Sequence, residues 1–250
     1  MFTDGRYGNR DILDLQIVDF VSSTPLMKMD YANTSSLEMA SSRVYAMGAG
    51  TRRIAWDGEK TATLTVETQI FSLEHLAILA GEEIKRGKQN VYKTEILPVL
   101  ADNTVALKKV PVGDVVVFPF VNGLSVKENQ THTVTDKTIT IGAGATVQPG
   151  DEVEVYYQTE VAQASKLSFT AKGFPKYVKL IGDTIWIDET STSAVGSQMV
   201  CYKAKIQPNF TISNSAEGDP STLTLVFDLF PAKVDGVDTL IDMIVYDDQD

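Results

Sequence analysis

The chain has 250 residues, 43% of them hydrophobic, and its 33 acidic and 22 basic residues give a formal net charge of −11. These totals fit one large β domain or two smaller domains with a sizeable core, and the negative charge argues against passive nucleic-acid binding, which relies on Lys and Arg. The single cysteine excludes an intrachain disulfide, and no run of about 18 apolar residues predicts a membrane span.

The N-terminal part of the chain predicts strands. Residues 26–47 mix an alternating pattern with Ser and Thr, which predicts one or two strands with a turn near Asn33. The sequence Gly-Ala-Gly at 48–50 breaks this pattern. We interpret residues 48–60 as a loop.

The clearest pattern in the sequence is TATLTVETQI at residues 61–70. Such strict alternation predicts a strand with one buried face and one solvated face, and Thr68 is the one polar residue on the apolar side. The predicted apolar face holds Ala62, Leu64, Val66 and Ile70, and the predicted polar face holds Thr61, Thr63, Thr65, Glu67 and Gln69.

One short helix is predicted directly after this strand, over residues 73–80. Ser72 is placed as its N-cap and Gly81 as the residue that ends it. A helix of about two turns is marginal by itself, so packing on the sheet must hold it. The residues predicted to pack are Leu73, Leu76, Ala77 and Ala80, with Phe71 and Leu76 forming a hydrophobic staple.

Residues 94–161 differ from the rest of the chain. Short apolar strands alternate there with turn signals, which predicts a small β-sandwich that we interpret as an inserted immunoglobulin-like domain. Longer strands resume from residue 165, with a hairpin turn predicted at residues 218–220. The predicted fold is therefore mainly β, with one discontinuous domain of residues 1–93 and 162–250 around the insertion.

No pattern predicts catalysis or a bound cofactor. The two histidines, His75 and His132, lie in no metal-binding spacing, and Cys201 has no catalytic signature around it. No phosphate-binding loop or nucleophile elbow is present, and we find no stretch where aromatic and basic residues interleave as in single-strand binding grooves. We therefore expect neither an enzyme nor a cofactor or metal site.

The stretch TRRIAWDGEKTATLTVETQIFSLEHLAILAG at residues 51–81 resembles bacteriophage tail tube proteins, the major tail proteins that stack as rings around the channel for DNA. The resemblance covers roughly residues 10–93 and 162–250. It is carried by Arg53, Trp56, Gly58, the alternating strand 61–70 and the helix opened by Phe71 and Ser72.

The resemblance implies a barrel-like or sandwich-like tube domain flanked by one short helix. It implies a virion protein that is made in the host cytoplasm and assembles, generally as hexamers, into stacked rings. The implied partners are further copies of the chain and other tail proteins, with DNA passing through without binding. An acidic lumen would repel that DNA.

The resemblance also implies roles for particular residues. The polar face of strand 61–70 would line the lumen, and the helix would cover the opposite face. The loop 48–60 would reach neighbouring subunits or rings, with Arg52, Arg53, Trp56 and Lys60 as candidate contacts.

Two other classes of protein stay open at this point. A carbohydrate-binding or adhesion module built from two β domains would be a monomer with an aromatic platform, although the aromatic residues are few and scattered. A β-rich hydrolase would need convergent carboxylates or a triad, for which the sequence gives no support.

Overall fold

The computed structural model describes residues 5–214, 216–218 and 220–246. The predicted mainly β fold with a short helix is confirmed within these residues. The turn predicted at 218–220 includes Asp219, which lies outside the described residues.

The secondary structure consists of strands and one helix, α1, over the described residues. In chain order they are β1 (Tyr7–Asn9), β2 (Asp14–Asp19), β3 (Pro25–Met29), β4 (Thr34–Gly48), β5 (Thr51–Thr68), α1 (Leu73–Ala80), β6 (Lys85–Pro98), β7 (Thr104–Ala106), β8 (Val112–Val121), β9 (Leu124–Ser125), β10 (His132–Thr135), β11 (Thr138–Ile141), β12 (Glu152–Lys166), β13 (Tyr177–Asp188), β14 (Ala194–Ile206), β15 (Leu223–Leu229), β16 (Ala232–Val234), β17 (Val237–Thr239) and β18 (Asp242–Tyr246).

The chain divides into two compact units. The discontinuous unit comprises Met1–Ile84 and Leu167–Asp250, and the inserted unit comprises Lys85–Lys166. The predicted insertion, residues 94–161, lies within the second of these ranges, and its immunoglobulin-like character stays a prediction.

The discontinuous unit is built on one antiparallel sheet of nine strands. Its order is β3-β2-β13-β14-β15-β5-β4, with β1 pairing β13 and β18 pairing β14. Alternation along the strands places an apolar face on one side, as in β15, whose residues alternate between buried and half-buried from Leu223 to Leu229. The side chains buried on this face form one continuous core.

Helix α1 covers part of that apolar face. Leu76 and Leu79 belong to the same core cluster as Leu64 and Val66 of β5. The helix spans Leu73–Ala80, as predicted. It packs on the face of β5 that the alternating pattern assigned to the core.

The two caps of α1 explain why it begins and ends where it does. The Ser72 hydroxyl accepts a hydrogen bond from the Glu74 backbone N–H, and the Ser72 backbone N–H donates to Nδ1 of His75 at 2.9 Å. At the other end, Gly81 adopts φ 65°, and a Cβ there would overlap the carbonyl oxygen of Phe174.

The predicted packing residues of the helix are partly wrong. Leu76 and Ala80 are buried, but Leu73 and Phe71 are 40% and 41% exposed. Leu79 takes a buried position instead, together with His75. With eight residues the helix buries only one narrow stripe, and that stripe runs through positions 75, 76, 79 and 80.

The inserted unit contains two sheets around a separate core. One sheet has the order β6-β12-β8-β9, and the other has the order β10-β11-β7. Val117, Val153 and Val155 from the first sheet and Val105 and Ile139 from the second are all fully buried in one cluster. The unit therefore has an apolar centre of its own.

Candidate assembly surface

The hairpin of β4 and β5 has two parts. From Ala62 to Glu67, β5 pairs with both β4 and β15, whereas the described residues from 43 to 57 pair only within the hairpin. The pairing shifts register between Ser41 and Arg43, which marks a β-bulge at the junction. We call residues 43–57 the arm.

The arm exposes apolar side chains on one face. Val44 lies opposite Trp56, and Ala46 lies opposite Ile54, so the four share a face. Val44 is 66% exposed, Ile54 56% and Trp56 54%. An isolated two-stranded hairpin of this kind is marginally stable in water, and a contiguous apolar face of this kind marks an interaction surface.

The opposite face of the arm carries charged side chains. Nε of Arg43 lies 2.5 Å from Oδ1 of Asp57, and the guanidinium of Arg52 lies 4.2 Å from the centroid of the Tyr45 ring. Met47, across from Arg52, is also largely exposed. The arm is therefore amphipathic, with an apolar face and a charged face.

The four predicted contact residues all lie on β5, within or next to the arm. Arg52 stacks on Tyr45, and Nε of Arg53 donates to the Gly48 carbonyl at 3.4 Å. Trp56 lies on the apolar face, while Lys60 lies opposite Ser41, just after the arm ends at residue 57. All four are exposed, so the structure brings them onto one hairpin without showing what they contact.

The predicted loop over residues 48–60 is wrong. The chain there is strand, and the connection is only Ala49 and Gly50. Their φ angles of 51° and 77° fit a type I′ turn, whose twist suits a two-residue hairpin. The alternating apolar residues on either side of this Ala-Gly pair were the signal that could have revealed the arm.

The predicted polar face of β5 is polar over the length of the strand. Thr61 is exposed, and Thr63, Thr65 and Glu67 are half-buried. Glu38 of β4 and Asp228 of β15 lie on either side of Thr63 on this face. Thr34 donates to Glu67 Oε2 at 3.0 Å, so carboxylates occur on three adjacent strands.

Two predictions at the end of β5 are wrong. Gln69 does not belong to the polar face and Ile70 is not buried, because the strand ends at Thr68. The buried Thr68 hydroxyl accepts from the Ile70 backbone N–H at 3.0 Å and donates to the Ile70 carbonyl at 2.7 Å. These bonds turn the chain, and Ile70 is 62% exposed.

The main strand order of the sheet in the discontinuous unit ends at β4 and at β3. In the described residues β4 pairs on one side only, with β5, and β3 pairs on one side only, with β2. Along β4, Leu37 and Met39 lie opposite the buried Leu64 and Ala62, yet both are exposed. The apolar layer of the sheet therefore continues to its edge without a cover.

Three side chains that could in principle take part in chemistry, those of Cys201, His75 and His132, are buried or hydrogen-bonded within the protein. Burial raises the pKa of the Cys201 thiol to about 12, which keeps it protonated. Nε2 of His75 lies 3.0 Å from the Met29 sulfur and 3.3 Å from the Tyr31 hydroxyl. His132 lies beside the Gln130 carbonyl at 2.6 Å.

Within the described part of the chain, no helix is long and apolar enough to cross a membrane. No group of three or more His, Cys, Asp or Glu residues there could hold a metal ion.

Comparison with known proteins gives one family. The model of the YomU/Tube protein family matches residues 9–240. No curated protein matches the chain. The match covers most of the sequence, including both parts of the discontinuous unit, and the chain therefore belongs to the YomU/Tube protein family.

Proposed function

We propose that this member of the YomU/Tube family is a structural protein of the phage tail that assembles into stacked rings. The rings, which we take to be hexamers, enclose a channel through which DNA passes during ejection. The partners are further copies of the chain and other tail proteins, and assembly takes place in the host cytoplasm. The protein has no catalytic role.

The exposed arm carries this proposal. A hairpin with Val44, Ile54 and Trp56 on one exposed face has no cover for that face among the described residues. Covering three large apolar side chains favours association, at about 25 cal/mol per Å² of apolar surface removed from water. A second copy of the chain is the occupant that a ring supplies.

The open edges of the sheet support the same assembly. An unpaired edge exposes a row of backbone N–H and C=O groups that can pair with another strand. The 15-residue β4 is such an edge. Pairing β4 of one copy with an edge strand of the next would extend the sheet around a ring and cover Leu37 and Met39.

The polar face of β5 supports the channel. Thr63, Thr65 and Glu67 face away from the core, and Glu38 and Asp228 flank them. Hydroxyl and carboxylate groups suit a water-filled lumen, and the carboxylates would repel DNA phosphates along this part of the wall.

The test is negative-stain electron microscopy of the purified full chain at high concentration, with light scattering on the same sample. We expect rings or tubes with a central hole. The variant Ile54→Asp places a charge on the apolar face of the arm and should stay monomeric. Val21→Asp changes another highly exposed apolar residue outside the arm and should assemble as the wild type does.

Two results would contradict the proposal. If Ile54→Asp assembles as the wild type does, the arm is not part of the interface between copies. If the wild-type chain stays monomeric even with a tail-tube initiator complex, it does not form a tube. A glycan screen would then test the adhesion alternative.

A further inference from the structure

A second cluster of charged residues lies on the polar face of the same sheet. β13 contributes Tyr177 and Lys179, and β14 contributes Tyr202, Lys203 and Lys205. The two strands are neighbours in the sheet, so the pairing brings these residues together. We call these five residues, together with the neighbouring Phe20 and Lys233, the lysine cleft.

Aromatic rings hold the ammonium groups of the cleft. Nζ of Lys203 lies 4.6 Å from the Tyr177 ring centroid and 5.8 Å from that of Phe20. Nζ of Lys205 shares the Tyr177 ring at 5.4 Å, and Nζ of Lys179 lies 5.3 Å from the Tyr202 ring. Three like charges are thus stabilised by ring faces.

The difference between a ring and a carboxylate matters here. A carboxylate partner cancels the charge of an ammonium group, whereas a ring face stabilises the ammonium group and leaves its net charge in place. None of the ion pairs of the described residues includes Lys179, Lys203 or Lys205. The cleft therefore keeps its positive charge.

Two of these lysines, together with Lys233, line an open cavity. A cleft of about 470 Å³ is bounded by Lys179, Lys203 and Lys233, and Asp19 is the one carboxylate in its described lining. Oδ1 of Asp19 accepts hydrogen bonds from the Ser22 backbone at 2.7 Å and from its hydroxyl at 2.9 Å. These bonds, led by that from the Ser22 backbone, lower the pKa of Asp19 and fix its carboxylate in a turn.

Three acidic residues lie near the cluster: Asp235, whose charge acts on the Tyr202 hydroxyl, and two whose carboxylates accept hydrogen bonds. The Tyr202 hydroxyl donates to Oδ2 of Asp242 at 2.8 Å, and Gln207 donates to Oδ1 of Asp228 at 2.9 Å. Asp228 lies across from Lys205 in the sheet without an ion pair to it. Lys179, Lys203 and Lys233 are therefore the better placed to bind an anion.

We propose that the lysine cleft binds the phosphodiester backbone of nucleic acid. The ligand is a phosphate-bearing chain, because several ammonium groups lie around one cavity and flat rings lie beside them. In the channel of the proposed tube, the cleft would supply a weak and salt-sensitive contact on a wall that is otherwise acidic. This role rests on the proposed function, but the binding itself is a property of the single chain.

The experiment measures fluorescence anisotropy of a labelled single-stranded oligodeoxynucleotide with the full-length chain over a range of salt concentrations. We expect binding that weakens as salt rises, with each lysine contact adding about 0.7 to the magnitude of the log–log slope. The double variant Lys179→Gln/Lys203→Gln should bind more weakly and with a smaller slope. Lys172→Gln, at an exposed turn outside the cleft, should bind as the wild type does.

Further variants separate the cleft from folding and from assembly. Lys233→Gln removes a cleft ammonium that stacks on no ring in the described structure, so it should weaken binding without changing the melting temperature. Lys203→Arg should retain binding. The arm variant Ile54→Asp should bind the oligonucleotide as a monomer, so loss of assembly leaves this result intact.

The proposal is overturned if the wild type does not bind the oligonucleotide at low salt, or if the cleft variants bind as tightly as the wild type. It is also overturned if the cleft variants change self-association, measured by sedimentation, and leave oligonucleotide binding unchanged. That last result would assign the lysines to carboxylates of a neighbouring copy.

Discussion

The two halves of β5 follow one alternating pattern and meet different environments. In the half from Ala62 to Thr68 the alternate apolar side chains are buried in the core of the discontinuous unit. In the half that forms the arm, Ile54 and Trp56 alternate in the same way and are more than half exposed. The pattern therefore reports which side chains share a face, whereas burial depends on whether another element covers that face.

This difference separates stability from assembly. Residues in the packed half hold the single chain together, because its own strands and α1 surround them. Residues of the arm contribute little to the single chain and, in our account, gain their cover from another copy. The substitutions below test that division, from the largest expected effect on the stability of the single chain to the smallest.

Leu64→Ala and Ile54→Ala form the most direct pair. Leu64 is fully buried, so its truncation leaves a cavity and should lower the free energy of unfolding by about 2–5 kcal/mol. Ile54→Ala should change it by less than about 0.5 kcal/mol, as at other surface sites. Urea unfolding of both variants at low protein concentration measures the contrast, and equal losses would break the comparison.

Gly81→Ala and Gly50→Ala form a second pair, since both glycines have positive φ angles. Either substitution places alanine in the left-handed region at a cost of about 1–2 kcal/mol. At Gly81 the new Cβ would also overlap the Phe174 carbonyl, whereas nothing lies within 4 Å at Gly50. Thermal unfolding should therefore show the larger loss in melting temperature for Gly81→Ala. A larger loss for Gly50→Ala would contradict the view that the arm adds little to the stability of the single chain.

His75 links the packed half to pH. Burial lowers the pKa of His75 below its usual 6.5, and its Nδ1 accepts a bond from Ser72 N–H that only the unprotonated nitrogen can make. The Tyr31 hydroxyl contacts its Nε2, and the charge of Glu74 opposes the shift. The unfolded chain therefore binds the proton first, and the stabilisation present above pH 6.5 is lost as the pH falls below it.

Unfolding measurements from about pH 8 to pH 5 test this linkage, because histidine titrates in that range. His75→Gln keeps an acceptor at the third helix position and should remove the part of the slope that comes from His75. If His75→Gln keeps the wild-type dependence of the free energy of unfolding on pH, the environment of His75 does not lower its pKa.

Arg43→Ala should have the smallest effect. The Arg43–Asp57 ion pair lies on the arm, and both side chains are at least half exposed. Exposed pairs of this kind contribute little, because solvent screens them and the side chains lose freedom. We expect no measurable change in the melting temperature of the single chain, and a clear drop would show that the arm is held by its own chain.

The sequence predicted α1 well because its signals are local. Ser72 and Gly81 fix the two ends through contacts within a few residues. The alternation of residues 61–68 likewise gave the correct buried set. The prediction failed at Gln69 and Ile70, where one buried hydroxyl, that of Thr68, turns the chain.

The arm and the lysine cleft depend on information that the local pattern does not carry. The Gly-Ala-Gly at 48–50 suggests a loop, although Ala49 and Gly50 alone make the turn. In the cleft, Tyr177-Val-Lys179 and Tyr202-Lys203-Ala-Lys205 do interleave aromatic and basic residues, so the prediction that no such stretch exists is wrong. Only the pairing of β13 with β14 places the two segments side by side.

The most direct test of the account is hydrogen–deuterium exchange of the wild-type chain at low and at assembly-forming concentrations. We expect that the backbone amides of the arm, and those amides of β4 that point away from β5, exchange fast in the single chain and slowly in the assembled rings, while those of Ala62–Thr68 are protected in both. Rings that form while these β4 and arm amides exchange as fast as in the single chain would contradict it, because another surface would then hold the copies together.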